Sequence, residues 1–374
     1  MKISVSCSSG VEAVTKRELY KILGLSDLAA INGRINFEGG FEEIAKCNLL
    51  LRTANRVGIV VGEFKADDFD CLFDGVKSVE WEKIIPIDGQ IIVSAKSSLS
   101  KIFAISATQS VVKKAICERL KQHYGLLEMP ESGERYKIET AIYKDYVTLT
   151  LDTSGDGLHR RGYRGLVGEA PLKETLAAAM IELSVWNPSR PLADVFCGTG
   201  TIPIEACLIA KNIAPGINRE FDFEKWKCVD RSIIDKIRQG EASKIDLEKE
   251  VSIKGFDIDE KQLALARKHA KLAGVDGYIH FQRADVSEFS SQRKYGVLIC
   301  NPPYGERLLE RKEIEKLYKS YGNMYRNLED WSAYTLTSVS DFERLFGKKA
   351  DKKRKLYNGK LECCYYTMLG PKKF

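Results

Sequence analysis

The sequence predicts an α/β protein, with a doubly wound, mostly parallel sheet in its carboxy-terminal half and two smaller α+β units ahead of it. Three observations carry this. From residue 171 onward, apolar runs of strand length alternate with longer segments that are apolar every third or fourth residue. Four of those runs end, in order, in a glycine turn, an acid, a second acid and Asn-Pro-Pro-Tyr. Before residue 153 the runs are shorter and mix strands, helices and a hairpin.

Composition sets the bounds. A chain of 374 residues accommodates two or three domains, and 44% hydrophobic with 29% charged residues is ordinary for a globular protein. The net charge of +6 suits a polyanionic partner without requiring one. The start, MKISVSCSSGVEAV, has no apolar stretch of signal-peptide length. No window reaches ~18 uninterrupted apolar residues, so no membrane-spanning helix is expected. Ten cysteines lack any C-x-x-C spacing and only four histidines are present, so no metal site is expected. Scattered reduced thiols imply a cytoplasmic protein.

Residues 1–64 read as β-α-β-α-β. KISVSC is a strand, VEAVTKRELYKIL a helix stopped by Gly24, and INGRINFEG a strand with a turn. FEEIAKCNLLLRTA is helical and RVGIVVGEF is the next strand. Residues 65–153 form the second unit: helix DDFDCLFDGVKSVEW, strand QIIVSAKSS, helix SATQSVVKKAICERLKQHY, then a hairpin turning at Lys144-Asp145.

Residues 154–170 are a glycine- and arginine-rich joint. His159, Arg160, Arg161 and Arg164, interleaved with Tyr163, have the charge for phosphate contacts and a ring for base stacking. A solvated linker is the plainer alternative. The basic run GKKADKKRKLYNGK, seven Lys or Arg in fourteen residues, is expected to join the last two strands, as a solvated tip or a second phosphate contact.

Residues 171–374 make the large domain. Helix PLKETLAAAMIELSVW starts at a proline, and PLADVFCGTGTIPIEACLIA gives strand, glycine turn and helix. A long, partly helical insertion follows, then strand SIKGFDID and helix EKQLALARKHAKLAG. Residues 277–285 form strand three, YGVLIC strand four, and SAYTLTSV and LECCYYTML later strands. Gly198 and Gly200 let the backbone approach a ligand, with a helix amino terminus behind them. A dinucleotide fingerprint wants a third glycine where Pro203 stands, which disfavours a nicotinamide or flavin site. Asp257 is placed to accept from a ribose diol and Asp285 to reach an adenine amine.

This ordered set resembles the class I S-adenosylmethionine-dependent methyltransferases. LHRRGYR, EAPLKETLAAAM, DVFCGTGTIPIEA, APGINREFDFEKW and NPPYGERL together resemble the RNA guanine-N2 methyltransferases that carry an amino-terminal THUMP domain. The resemblance covers essentially the whole chain. It implies a ferredoxin-like unit over residues 1–64, a THUMP RNA-binding domain over 65–153, and a Rossmann-like methyltransferase domain over 171–374. It implies S-adenosyl-L-methionine as cofactor, bound by Asp194, Phe196, Cys197, Gly198, Thr199, Gly200, Thr201, Asp257, Ile258, Asp285 and Val286. At Asn301, Pro302, Pro303 and Tyr304 it implies an amine held by the Asn301 side-chain oxygen and the Pro302 carbonyl, on a backbone stiffened by two prolines. Tyr304 would stack on a flipped-out base. The implied substrate is structured RNA, large-subunit ribosomal RNA with transfer RNA as the alternative. Adenine-N6 and glutamine-N5 methyltransferases share NPPY and are rivals, as is an inactive RNA-binding assembly factor. The chain end at Phe374 leaves no room for a second methyltransferase domain, so one activity is expected.

Overall fold

The computed structural model describes residues 1–31, 33–164, 172–304 and 311–371. The amino-terminal half runs β1 (Lys2–Cys7), α1 (Glu12–Leu23), β2 (Ala30–Ile31), β3 (Arg34–Glu38), α2 (Phe41–Leu50) and β4 (Ala54–Lys65). It continues with α3 (Phe69–Lys77), β5 (Gln90–Ser98), α4 (Ile105–Tyr124), β6 (Arg135–Tyr143) and β7 (Tyr146–Asp152). Lys144 and Asp145 both take positive φ, 52° and 61°, the two-residue turn whose twist matches a hairpin.

These seven strands form one sheet, in the order β2-β3-β1-β4-β7-β6-β5. The long strand β4 joins the two units. Its residues 54–59 pair with β1 and 58–65 with β7, so Gly58 and Ile59 pair on both sides, with an irregularity between Val60 and Gly62. Periodicity reveals that each segment is a strand but not which strand it pairs with, so this continuity across residue 64 emerges only in three dimensions.

The carboxy-terminal half holds α5 (Glu174–Glu182), β8 (Leu192–Asp194), α6 (Thr201–Ala210), α7 (Ser232–Ala242), β9 (Ile253–Asp257) and α8 (Glu260–Leu272). Then come β10 (Ile279–Arg283), β11 (Val297–Cys300), α9 (Arg311–Arg326), β12 (Ser332–Thr337), α10 (Phe342–Phe346), β13 (Lys352–Asn358) and β14 (Leu361–Met368). Their sheet is ordered β10-β9-β8-β11-β12-β14-β13. The first five are mutually parallel, and β14 runs antiparallel to both its neighbours, β12 and β13. Strand order reverses between β8 and β11, which opens a crevice at their carboxyl ends. Pro171, the expected start of the first helix, lies outside the described residues.

Two features depart from the expectations. The lysine-rich run is not merely a connection: Lys352–Asn358 is itself the edge strand β13. Lysines along an exposed edge discourage pairing with another chain, which explains the charge without any ligand. The insertion between α6 and β9 also leaves its own domain. Phe221, Phe223, Trp226 and Ile234 are buried in the amino-terminal core, and Trp226 stacks on Tyr136 at 5.2 Å and 14°. Among the described residues no helix is long and apolar enough to cross a membrane.

Candidate active site

The site sits where β8 and β11 run side by side, in register at Leu192↔Val297 and Ala193↔Leu298. β8 ends at Asp194, only 1% exposed, whose Oδ1 accepts from the Phe196 amide at 3.1 Å. Burial pushes this carboxyl up to about 8, and among the described residues no lysine or arginine pairs with it. A buried acid with no cation of its own can accept a cationic ligand group.

Beyond it the chain turns through Gly198 and Gly200, with φ of 50° and 83°, the left-handed region that glycine tolerates. A Cβ on Gly198 would meet nothing within 4 Å, so open space lies against the turn where a ligand can approach. At Gly200 it would come within 3.0 Å of Ala266 and 3.1 Å of Phe281, so the helix packs tightly there. His269, buried on α8, donates from Nδ1 to the Thr199 carbonyl at 3.2 Å. The Gly198 amide donates to Asp257 Oδ2 at 2.8 Å, and the Asp259 amide to Asp257 Oδ1 at 3.0 Å. Each carboxylate oxygen keeps a lone pair, and Ile258 beside it is 61% exposed, an apolar face at the strand end. Asp285 Oδ1 accepts from the Ser287 hydroxyl at 2.6 Å and amide at 2.9 Å, which hold the carboxyl below its ordinary value. Oδ2 is left for a ligand. Val286 is buried under the same edge.

Asn301 follows β11, and its side-chain Oδ1 is buried with no hydrogen-bond partner among the described residues. The motif's backbone is held from below. Pro303's carbonyl accepts from the Tyr318 hydroxyl at 3.1 Å, and that hydroxyl pairs with Thr337 Oγ1 at 2.8 Å. Pro302 is buried and Tyr304 half-buried. The Tyr304 hydroxyl accepts from Asn358 Nδ2 at 2.8 Å. Sequence reasoning missed Tyr318, Thr337 and Asn358. The first sits on an apolar stripe of α9, where its spacing with Tyr321 and Tyr325 speaks only of core. Gly305 to Leu308 of the extended motif lie outside the described residues.

The arginine-rich joint requires a correction. Arg161 is buried, with its guanidinium 3.4 Å from Glu205, itself fully buried on α6. Tyr163 is buried and its hydroxyl donates to Glu205 at 3.1 Å. Arg164 lies 3.3 Å from Glu174, bonds the Leu172 carbonyl at 3.1 Å, and reaches Thr201 at the start of α6. Tyr163 is buried and offers no stacking ring, and the guanidiniums of Arg161 and Arg164 are taken up by Glu205 and Glu174, although both arginines still border a cavity. The reason is that a buried carboxylate requires cationic partners. His159 and Arg160 line this cavity of about 880 Å³, whose wall carries seven Lys or Arg residues, Arg161 and Arg164 among them, against the four acids Asp156, Glu174, Glu220 and Asp222. Burial and the charges of Lys173, Arg160, Arg161 and Arg56 press the His159 imidazole down to about 4. The excess of bases over acids in its lining makes the cavity electropositive, and through Asn358 it adjoins Tyr304.

Known proteins share this arrangement. Residues 161–367 match the RMKL-like methyltransferase domain, residues 2–58 the RlmL ferredoxin-like domain, and residues 66–152 the THUMP domain. YpsC of Bacillus subtilis, provisionally named an RNA methyltransferase, is 43% identical over 96% of this chain and 93% of its own length. A ribosomal RNA large subunit methyltransferase K/L from Syntrophotalea carbinolica is 34% identical over 97% of this chain, which spans 53% of that relative. Among solved structures, SMU.472 in complex with SAH is 42% identical, with a TM-score of 0.93 over 100% of this chain and 99% of its own. A Listeria monocytogenes protein named as an N6-adenine-specific DNA methylase is 43% identical, with a TM-score of 0.92 over 99% of this chain and 96% of its own.

Proposed function

This chain belongs to the RMKL-like methyltransferase family, and from that premise we propose that it methylates guanine N2 in RNA, using S-adenosyl-L-methionine, with large-subunit ribosomal RNA as substrate. The cofactor supplies a methyl group bonded to a sulfonium. Asp194 is the partner for its ammonium, Asp257 for its ribose hydroxyls and Asp285 for its adenine amine, with the Gly198–Gly200 turn open beside them.

The observation that carries the reading is the Oδ1 of Asn301, buried without a donor among the described residues. A buried acceptor without a donor costs about 1–3 kcal/mol, so its retention points to a donor that arrives with the substrate. An exocyclic amine offers two N–H groups. Asn301 Oδ1 takes one and the Pro302 carbonyl the other, which aligns the nitrogen lone pair with the methyl group. As the nitrogen gains positive character its N–H groups strengthen as donors, so the two acceptors favour the transition state over the ground state. The proton leaves after transfer, and no strong base is needed at the nitrogen. Tyr304 offers its ring to the flipped base, and Arg160 and Lys173 offer charge to the flanking phosphates.

The test is methyl transfer from labelled S-adenosyl-L-methionine to ribosomal and transfer RNA from a strain lacking the protein, followed by mass spectrometry of nucleosides. N2-methylguanosine in large-subunit RNA is expected. N6-methyladenosine would replace the base assignment, label in transfer RNA alone would replace the substrate, and no label in any RNA would overturn the proposal.

A further inference from the structure

The last hairpin carries a side chain that neither the motif nor the sheet requires. β13 ends at Asn358 and β14 begins at Leu361, and these two residues face each other across a turn in which Gly359 takes φ of 65°. Backbone pairing from Lys352↔Thr367 to Asn358↔Leu361 builds the hairpin, so its register does not need the Asn358 side chain. That side chain instead leaves the hairpin and donates to the Tyr304 hydroxyl at 2.8 Å, across 54 residues of sequence. Tyr304 packs by its ring against the sheet core, with the Cys363 thiol beside its hydroxyl. Asn358 and Gly359 also line the electropositive cavity that holds Arg160 and Lys173.

A tyrosine ring has two free torsions, and apolar packing at its base leaves the second one soft. A hydrogen bond at the far end of the ring removes that freedom. We propose that Asn358 is a positioning residue which, from the hairpin tip, sets the plane of the Tyr304 ring and hence the face presented to the target base. This rests on the reading of Tyr304 as the stacking platform. Asn358 gives its amide as a donor to the phenol oxygen, and the Cys363 thiol is the phenol's second hydrogen-bond partner, so the ring's far end is held from two sides. The hairpin thereby links the wall where RNA enters to the motif where the methyl group is transferred.

The experiment is a double-mutant cycle, read as kcat and KM for methyl transfer to bulk RNA from a deletion strain, with SAH affinity and melting temperature measured alongside. Asn358→Ala should lower kcat/KM for RNA roughly tenfold, about what one lost hydrogen bond is worth, and leave SAH affinity unchanged. In the Tyr304→Phe background the same change should cost nothing further, because the bond is already gone. Asn358→Gln, which keeps the amide on a longer arm, should recover part of the loss and can carry the cycle if the alanine variant does not fold. An equal cost of the Asn358 change in both backgrounds would overturn the inference, since Asn358 would then act without Tyr304. Tyr304→Ala separates the two readings. If it cripples turnover while Asn358→Ala is silent, only the positioning role fails; if Tyr304→Ala is itself silent, the stacking platform fails and the positioning role with it.

Discussion

At Asn301 a side-chain oxygen is held buried and, among the described residues, unpaired, which costs the free protein about 1–3 kcal/mol. Asn301→Ala should therefore leave the melting temperature equal or higher while lowering kcat by about 10²–10³, the loss seen when one preorganised transition-state partner is removed. Calorimetry with SAH would show binding intact. A lower melting temperature with proportionate loss of turnover would make Asn301 a turn residue only. Asp194 makes a second prediction, of opposite sign to the usual acid. Its carboxyl titrates at about 8 in the fold against an ordinary value of 3.8, so the native state binds the extra proton between those values. That contribution is present at low pH and lost as pH rises through about 8. Stability should fall over this window, and Asp194→Asn should flatten the fall in denaturant titrations. The ionised form is needed to pair with an ammonium, so SAH affinity should rise with pH towards 8, at most about tenfold per unit. A pH-independent affinity would remove Asp194 from that role.

Among the elements, the turn between β8 and α6 is constrained both by its backbone and by its neighbours. Gly200 combines a φ of 83° with close approach to Ala266 and Phe281. Gly200→Ala adds a left-handed penalty of about 1–2 kcal/mol to the clash with α8 and β10. Chemical denaturation should show at least that loss, accompanied by weaker SAH binding. Unchanged stability would mean that the turn relaxes freely. The glycines were readable from the sequence because a left-handed backbone and a close approach both demand the absence of a side chain. Tyr318 beneath Pro303 was not readable, since a tyrosine on an apolar helix stripe looks the same whatever its hydroxyl meets, here the Pro303 carbonyl and Thr337. Nor was the fate of the 347–360 run, because alternating lysines describe an edge strand and a phosphate-binding loop equally well.

Across the whole molecule, the insertion after α6 ties the two sheets together. Trp226 is buried on Tyr136 and its indole donates to the Arg135 carbonyl at 3.1 Å. Trp226→Ala should cost about 3–5 kcal/mol, split one unfolding transition into two, and reduce RNA turnover more than SAH binding. A single, merely shifted transition would show that the halves stay coupled by other contacts. The cavity between the halves gives the last prediction. Replacing Arg160 and Lys173 with alanine should flatten the salt dependence of RNA binding, by about 0.7 in the log-log slope for each lost single-strand phosphate contact. An unchanged slope would send the RNA elsewhere on the surface.

What the sequence determined by itself was local in origin. Gly198 and Gly200 answer to backbone geometry, Asp257 and Asp285 to their places at strand ends, and the two prolines after Asn301 to restricted torsions, so each could be read within a few residues. The order of those strand ends was equally readable, because strands alternating with helices leave few topologies for a parallel sheet. Tertiary structure decided the direction in which the side chains point. Arg161 and Tyr163 look like a nucleic-acid surface until Glu205, more than forty positions away, draws them inward. Strand β4 became the shared spine of the first two units because β7 paired with it across eighty residues of intervening chain. Asn358 met Tyr304 because the tip of the final hairpin reaches the residues that follow β11. Burial of a charge, choice of a strand partner and closure of a hydrogen bond all depend on atoms distant in sequence, and composition carries no record of distance.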